Sequence, residues 1–278
     1  MKRPHLHVHL HEGGMLSIDY WAQHSRLRCV NPYIKLVLAL GLLVVCLAAN
    51  SAAIGLLIAA FMLLAISLAG GVPFRYVCAL LTVPLLFIAV SCLAIVLDFS
   101  QQPLGLADLP LPGGLGYLSA TPQGIHAAAL LACRAYGAVC CLYFLSLTIP
   151  MQEIIMMLGA MHLPPLIIEL MYLIYRYIFL LLDIQHRMTI AASSRLGYAS
   201  LRSSWFSFTH ISGNLLAASF SRSNNCLDAM DARCYNGRLR FLTHSAPFRL
   251  PHAALCLICL LAFSGLALYL HYKGVDLF

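Results

Sequence analysis

Long uncharged apolar runs, broken by short polar stretches, dominate this chain. Leu36–Phe74, Val77–Val96 and Leu250–Leu270 reach or exceed the roughly 20 residues that cross a hydrocarbon core. The first run is long enough for two spans, with a turn at Asn50-Ser51. Read in order, Leu36–Ala49 leaves one side, Ser51–Ala69 returns, and Arg75 marks the turn. Tyr76–Leu97 leaves again into Asp98–Thr121, an external loop with Asp98, Asp108, many Pro and Gly, and no Lys or Arg. Gln123–Ile149 brings the chain back, and Pro251–Tyr272 is the last span.

Composition agrees with this pattern. With 61% hydrophobic residues, 10% charged and a mean hydropathy of +0.85, the chain is more apolar than a water-soluble core requires, so an all-α polytopic membrane protein is expected. The net charge of +7 sits on one side rather than forming a nucleic-acid footprint. Lys2, Arg3, Arg26, Arg28 and Lys35 precede the first span, which argues for a cytoplasmic N-terminus, with the cell (inner) membrane as the expected location. The first thirty-five residues are polar and His-rich, so no cleavable signal peptide is expected.

One stretch conflicts with a simple count. If Leu166–Asp183 crossed, the Arg-rich block after it would lie outside, against the positive-inside tendency. Glu169, Arg176 and Asp183 recur every seven residues and share one helix face, which would be costly against lipid. A helix lying partly along the cytoplasmic boundary resolves both problems. The expectation is five spans, with six as the alternative. It divides the chain into a His-rich segment (1–31), four spans (32–149), a cytoplasmic helical region (150–249) and the last span with a short tail (250–278).

Residues 187–249 hold eight of the seventeen Lys and Arg, all of them Arg. No Gly or Pro interrupts Leu166–Leu196, so a single helix is predicted, stopping at Gly197. A second helix is predicted from Asn214, as N-cap after Gly213, to Asn236-Gly237. Pro150–His162 has the pattern of a short interfacial helix. Arg195 and Arg233 then fall in the last turns of two helices. A cation there complements the helix dipole and needs no partner. The same arrangement twice in one block favours docking, because a guanidinium pairs bidentately with a partner's carboxylate.

Three segments carry a family resemblance. Ser17-Ile18-Asp19 with Ser25-Arg26-Leu27-Arg28, Asn31-Pro32 and Lys35 is the first, and Tyr172–Phe179 continuing to Asp183 is the second. Ala229-Met230-Asp231-Ala232-Arg233-Cys234-Tyr235-Asn236-Gly237 is the third. In this order and spacing the chain resembles the cobalt-type transmembrane component of energy-coupling factor ABC transporters, the CbiQ family. The resemblance implies a non-catalytic scaffold joining two cytoplasmic ABC-type ATPases to a metal-capturing membrane subunit. ATP and Mg are then bound by the ATPases, with no cofactor in this chain and with supply of cobalamin synthesis as the outcome. It further implies that coupling helices present X-Arg-X motifs, here Ser194-Arg195-Leu196 and Ala232-Arg233-Cys234. Leu196 and Cys234 stand where Gly is common, a departure that bears on the local backbone and not on the charge.

Other residues admit two readings. Arg134 lies near mid-bilayer, either pairing with Glu169 or Asp183 or lining a substrate path. His5, His7, His9 and His11 could bind a divalent metal or belong to an extension with no transport role. Most of the eleven Cys lie in apolar helices, where Cys acts as a small hydrophobe, and Cys256 and Cys259 lack a second ligand pair. The ten acids are scattered and no nucleophile–base set stands out, against an enzyme. Nickel uptake in the same role, and a stand-alone metal permease, remain the alternatives.

Overall fold

The computed structural model describes residues 14–49, 51–100, 108–110, 117–161, 163–237 and 249–273; His5, His7, His9 and His11 lie outside them. The protein is an all-α polytopic membrane protein. Its helices are α1 (Gly14–His24), α2 (Pro32–Ala48), α3 (Ala52–Leu64), α4 (Phe74–Val96) and α5 (Pro122–Thr148), followed by α6 (Met151–Ala160), α7 (Pro165–Ser193), α8 (Leu201–Asp231) and α9 (Leu250–Lys273). A π-helical turn over Ala65–Ala69 extends α3. Among the described residues, the loop after α4 also holds three short antiparallel strands, β1 (Leu97–Ser100), β2 (Asp108–Pro110) and β3 (Tyr117–Ala120), with β3 in the centre. The sequence reading had only a Pro- and Gly-rich loop there.

The chain forms two compact units, Met1–Met151 with Ser245–Phe278, and Gln152–His244. In the first, α3 and α5 pack backbone to backbone. A Cβ on Gly55 would lie 2.6 Å from the Cys133 carbonyl, and one on Gly137 would lie 2.7 Å from the Gly55 carbonyl. Small residues permit this approach, and in a bilayer it supplies the contact that water-driven burial cannot. Leu42, Ile54, Ile58, Met62 and Leu147 fill the core beside the seam. Val83, Leu86, Phe87, Val90 and Leu93 leave α4 with an exposed apolar face of the kind lipid covers.

Polar groups in this unit satisfy helix ends. Asn31 caps α2 by accepting from the Tyr33 amide at 3.0 Å, with Pro32 at the first helical position. The buried Lys35 donates to the carbonyl of Thr148, the last residue of α5, at 3.0 Å. Arg134 of α5 in turn donates to the carbonyl of Leu47 at the end of α2. Each helix thus caps the other with a cation, where the last carbonyls lack intrahelical partners and the dipole is negative. Pro84 has no N–H for the Leu80 carbonyl, and the Tyr143 hydroxyl donates to it instead at 3.1 Å.

These contacts also fix direction. Lys35–Thr148 and Cys46–Arg134 make α2 antiparallel to α5. Cys256 donates to Ile34, and Leu260 lies over Gly41, so α9 runs parallel to α2. The end of α5 and the start of α9 therefore share the side on which α2 begins, and the segment between them crosses an even number of times or not at all.

Among the described residues, five helices are long and apolar enough to cross a membrane: Ala52–Ala69, Phe74–Val96, Pro122–Thr148, Pro165–Ser193 and Leu250–Leu270. The expected set had Leu36–Ala49 in place of α7. At 17 residues, α2 falls just short of that length. α7 is thus long and apolar enough to cross, whereas α8 is not in the set.

Candidate functional site

In the second unit α7 and α8 form a helical hairpin whose two helices end in the same way. Beyond α7, the Ser194 amide donates to Ile190, Arg195 to Ala192, Leu196 to Ser193 and Gly197 to Ala192, all at 2.9–3.1 Å. Beyond α8, Ala232 donates to Asp228, Arg233 to Met230, Cys234 to Asp231 and Tyr235 to Met230, at 3.0–3.1 Å. Each set contains the 6→1 and 5→2 bonds of a Schellman cap. The left-handed residue is Leu196 in one and Cys234 in the other, both at φ 58°. Arg195 and Arg233 each occupy the residue just before it, and both are exposed, as are Ser194, Leu196, Ala232 and Cys234.

Two expectations are corrected here. Gly197 does not adopt the left-handed stop; Leu196 does. Gly197 is required for room, since a Cβ there would sit 2.6 Å from Ser207 Oγ and 2.8 Å from the Ala192 carbonyl. Nor does the second helix begin at Asn214. It begins at Leu201, where Ser200 accepts from the Ser203 amide at 3.2 Å, and Gly213 and Asn214 lie inside it. As a continuous helix of 31 residues, α8 is about 46 Å long. The two arginine caps stand at its opposite ends.

The hairpin is antiparallel, with Tyr235 beside Glu169 and Tyr177 beside Cys226. α8 buries none of its residues fully, and polar contacts fasten its ends. At the first cap, the Ser203 and Ser207 hydroxyls donate to the Gly197 carbonyl at 3.0 and 2.9 Å. At the second, the Tyr235 hydroxyl donates to Glu169 Oε2 at 2.6 Å. That hydrogen bond to a carboxylate raises Tyr235 above the usual tyrosine range.

The charged face of α7 is divided. Glu169 is buried, whereas Arg176 and Asp183 are exposed, and Asp183 pairs with Arg187 one turn on at 2.8 Å. Arg134 belongs to the other unit and has the Leu47 carbonyl as a partner. Sequence reasoning singled out neither Tyr235 nor the two serines as anchors. A glycine followed by Ser203 and Ser207 at helical spacing was the available signal for the first cap.

The family described as "Cobalt transport protein", CbiQ, matches residues 23–244. A cobalt transport protein CbiQ of Rhodobacter capsulatus is 29% identical over 230 residues, covering 83% of this chain and 88% of that protein. An uncharacterized protein of Methanocaldococcus jannaschii is 27% identical over 226 residues, 81% and 82% of the two chains. A putative fused cobalt transport protein CbiMQ of Methanocorpusculum labreanum is 30% identical over 220 residues, which span 79% of this chain and 36% of the fused one. The matched segment takes in all of the spanning helices but the last, together with both arginine caps, and the chain belongs to the CbiQ family of cobalt transport proteins.

Proposed function

We propose that the chain is the transmembrane coupling subunit of an energy-coupling factor ABC transporter for cobalt uptake, with Arg195 and Arg233 docking two cytoplasmic ABC-type ATPases. Duplication is the observation that carries this reading. Two caps share one hydrogen-bond pattern and one backbone conformation, and each presents an exposed guanidinium. A lone cation at a helix end is adequately explained by the dipole. That explanation does not account for two copies at opposite ends of a rod about 46 Å long, a spacing suited to one socket on each of two subunits.

Topology supports a common side for both caps. The opposite directions of α5 and α9 support a boundary position for α7, and the basic N-terminal segment supports the cytoplasm as that side. The Tyr235–Glu169 bond argues likewise, because it brings the second cap to the start of α7 while the first cap is its end. A crossing α7 would leave one arginine on each face. The fused relative, whose name joins two cobalt transport parts, supports a membrane partner that captures the metal. ATP, with Mg, binds the ATPases and draws them together. The docked caps move with them, and α7 and α8 pass the displacement to the capturing subunit. Cobalamin synthesis is the proposed destination of the cobalt.

The test is capture of a co-expressed cobalt-type ATPase by membranes carrying the chain. Arg195→Ala or Arg233→Ala is expected to weaken capture roughly 30-fold, as for loss of one partner from a charge pair worth about 2 kcal/mol. The double variant is expected to abolish both capture and ATP-driven cobalt uptake. Undiminished capture by the double variant would overturn the docking assignment.

A further inference from the structure

We infer that Glu169 and Tyr235 are a positioning pair that holds the Arg233 cap against the start of α7, and that it serves that cap alone. The inference deepens the docking reading above and rests on it for its functional consequence. In the second cap, Tyr235 has two tasks. Its amide closes the 6→1 bond to Met230 at 3.1 Å, and its hydroxyl reaches Glu169 at 2.6 Å. The main chain of this residue builds the cap, and its side chain fastens it to the other helix.

The matching residue of the first cap is Gly197, which has no side chain to offer. That cap is fastened at the same position by the reverse chemistry, with two serine hydroxyls donating to the Gly197 carbonyl. Those serines are close in sequence, in the first turns of α8. Glu169 lies sixty-six residues from Tyr235. The first cap is therefore held locally, whereas the second depends on a contact between the two ends of the hairpin.

Burial marks Glu169 out from its neighbours on the same face. It is 6% exposed, whereas Arg176 and Asp183, one and two heptads on, are exposed. An O–H···O⁻ bond in a partly dry setting is among the stronger hydrogen bonds available. At this end α8 is at most half-buried, at Cys226 and Met230, and the bond adds a fixed link between Arg233 and the first turn of α7. Force applied at one ATPase socket then reaches both ends of α7.

Amide hydrogen exchange on the full chain in nanodiscs tests the pair without any partner. Tyr235→Phe and Glu169→Ala are expected to speed exchange at 232–236 while leaving 193–197 unchanged. Glu169→Gln, whose amide oxygen still accepts from the hydroxyl, should fall between. Faster exchange at both caps, or at neither, would overturn the pair. ATPase capture supplies the second readout. With Arg195→Ala present, so that only the second cap docks, Tyr235→Phe should weaken capture about 10-fold, the scale of a hydrogen bond to a charged group. With Arg233→Ala present it should change nothing. An equal loss in both backgrounds would signal a general structural role and overturn the inference. If neither arginine variant affects capture while the exchange pattern holds, the docking reading fails and the positioning pair stands.

Discussion

Gly55 and Gly137 bring the α3 and α5 backbones into contact in the spanning unit, whereas α8 in the hairpin unit buries none of its residues. The first unit is held by continuous packing, whereas α8 is at most half-buried along its length and is fastened by polar contacts at its ends. The difference matches what each must do in the proposed mechanism. A packed seam resists displacement and gives a fixed frame in the bilayer. A rod fastened at its ends passes on a push applied there. Substitutions in the first unit should act on folding, and substitutions in the second on coupling at a named cap.

The largest effect is expected at the α3–α5 seam. Gly137→Leu places a side chain where even a Cβ would stand 2.7 Å from the Gly55 carbonyl and 2.8 Å from Cys46 Sγ. Backbone does not yield as a flexible side chain does, and overpacking costs about 1–3 kcal/mol even for smaller insertions. The variant is expected to lose its monodisperse peak in detergent and to be degraded in membranes. In contrast, a Cβ on Gly213 in α8 would meet nothing within 4 Å, and Gly213→Leu should leave yield unchanged. Equal yields for the two variants would remove the distinction between the units.

An intermediate effect is expected from the reciprocal caps in the spanning unit. Arg134→Met keeps much of the side-chain length but leaves the Leu47 carbonyl without its cation. The expected loss is about 1–3 kcal/mol, read as a lower thermal midpoint of the purified chain. Arg134→Lys should recover part of it, because the charge still faces the negative end of α2. A variant with an unchanged midpoint but no uptake would instead favour a place for Arg134 on the substrate path.

What the sequence made legible follows from the range of each signal. The apolar runs marked α3, α4, α5 and α9 closely, and the absence of Gly and Pro over Leu166–Leu196 marked α7. Both arginines were visible because the motif repeats. Partners were not visible where they were backbone: Arg134 meets the Leu47 carbonyl, and Lys35 that of Thr148. No side-chain identity announces such a contact. The start of α8 was misplaced because Gly213-Asn214 reads as punctuation, while its first turns are rich in serine. Their hydroxyls are taken up locally, Ser204 on the Ser200 carbonyl and Thr209 on Trp205, so the polar stretch stays helical. The Tyr235–Glu169 bond joins residues far apart in sequence, and no local pattern encodes it.

The smallest effect, and the one that separates backbone from charge at the caps, comes from glycine at the two left-handed positions. Leu196 and Cys234 hold φ at 58°, a conformation that costs a residue with a Cβ about 1 kcal/mol or more. Both side chains are exposed, so removing them gives up little packing. Glycine relieves the strain but gains freedom in the unfolded chain, which offsets roughly 0.5–1 kcal/mol. The net change for Leu196→Gly or Cys234→Gly is therefore expected to be stabilising by a few tenths of a kcal/mol. It should appear as slower amide exchange at the substituted cap and nowhere else, with ATPase capture retained. Ala192→Gly, three residues before Arg195 and inside α7, should act in the opposite direction, costing about 1 kcal/mol as helix-interior glycines do. Faster exchange in Leu196→Gly would mean that the leucine side chain contributes to the cap beyond its backbone angle, and the two caps would then differ in more than their fastenings.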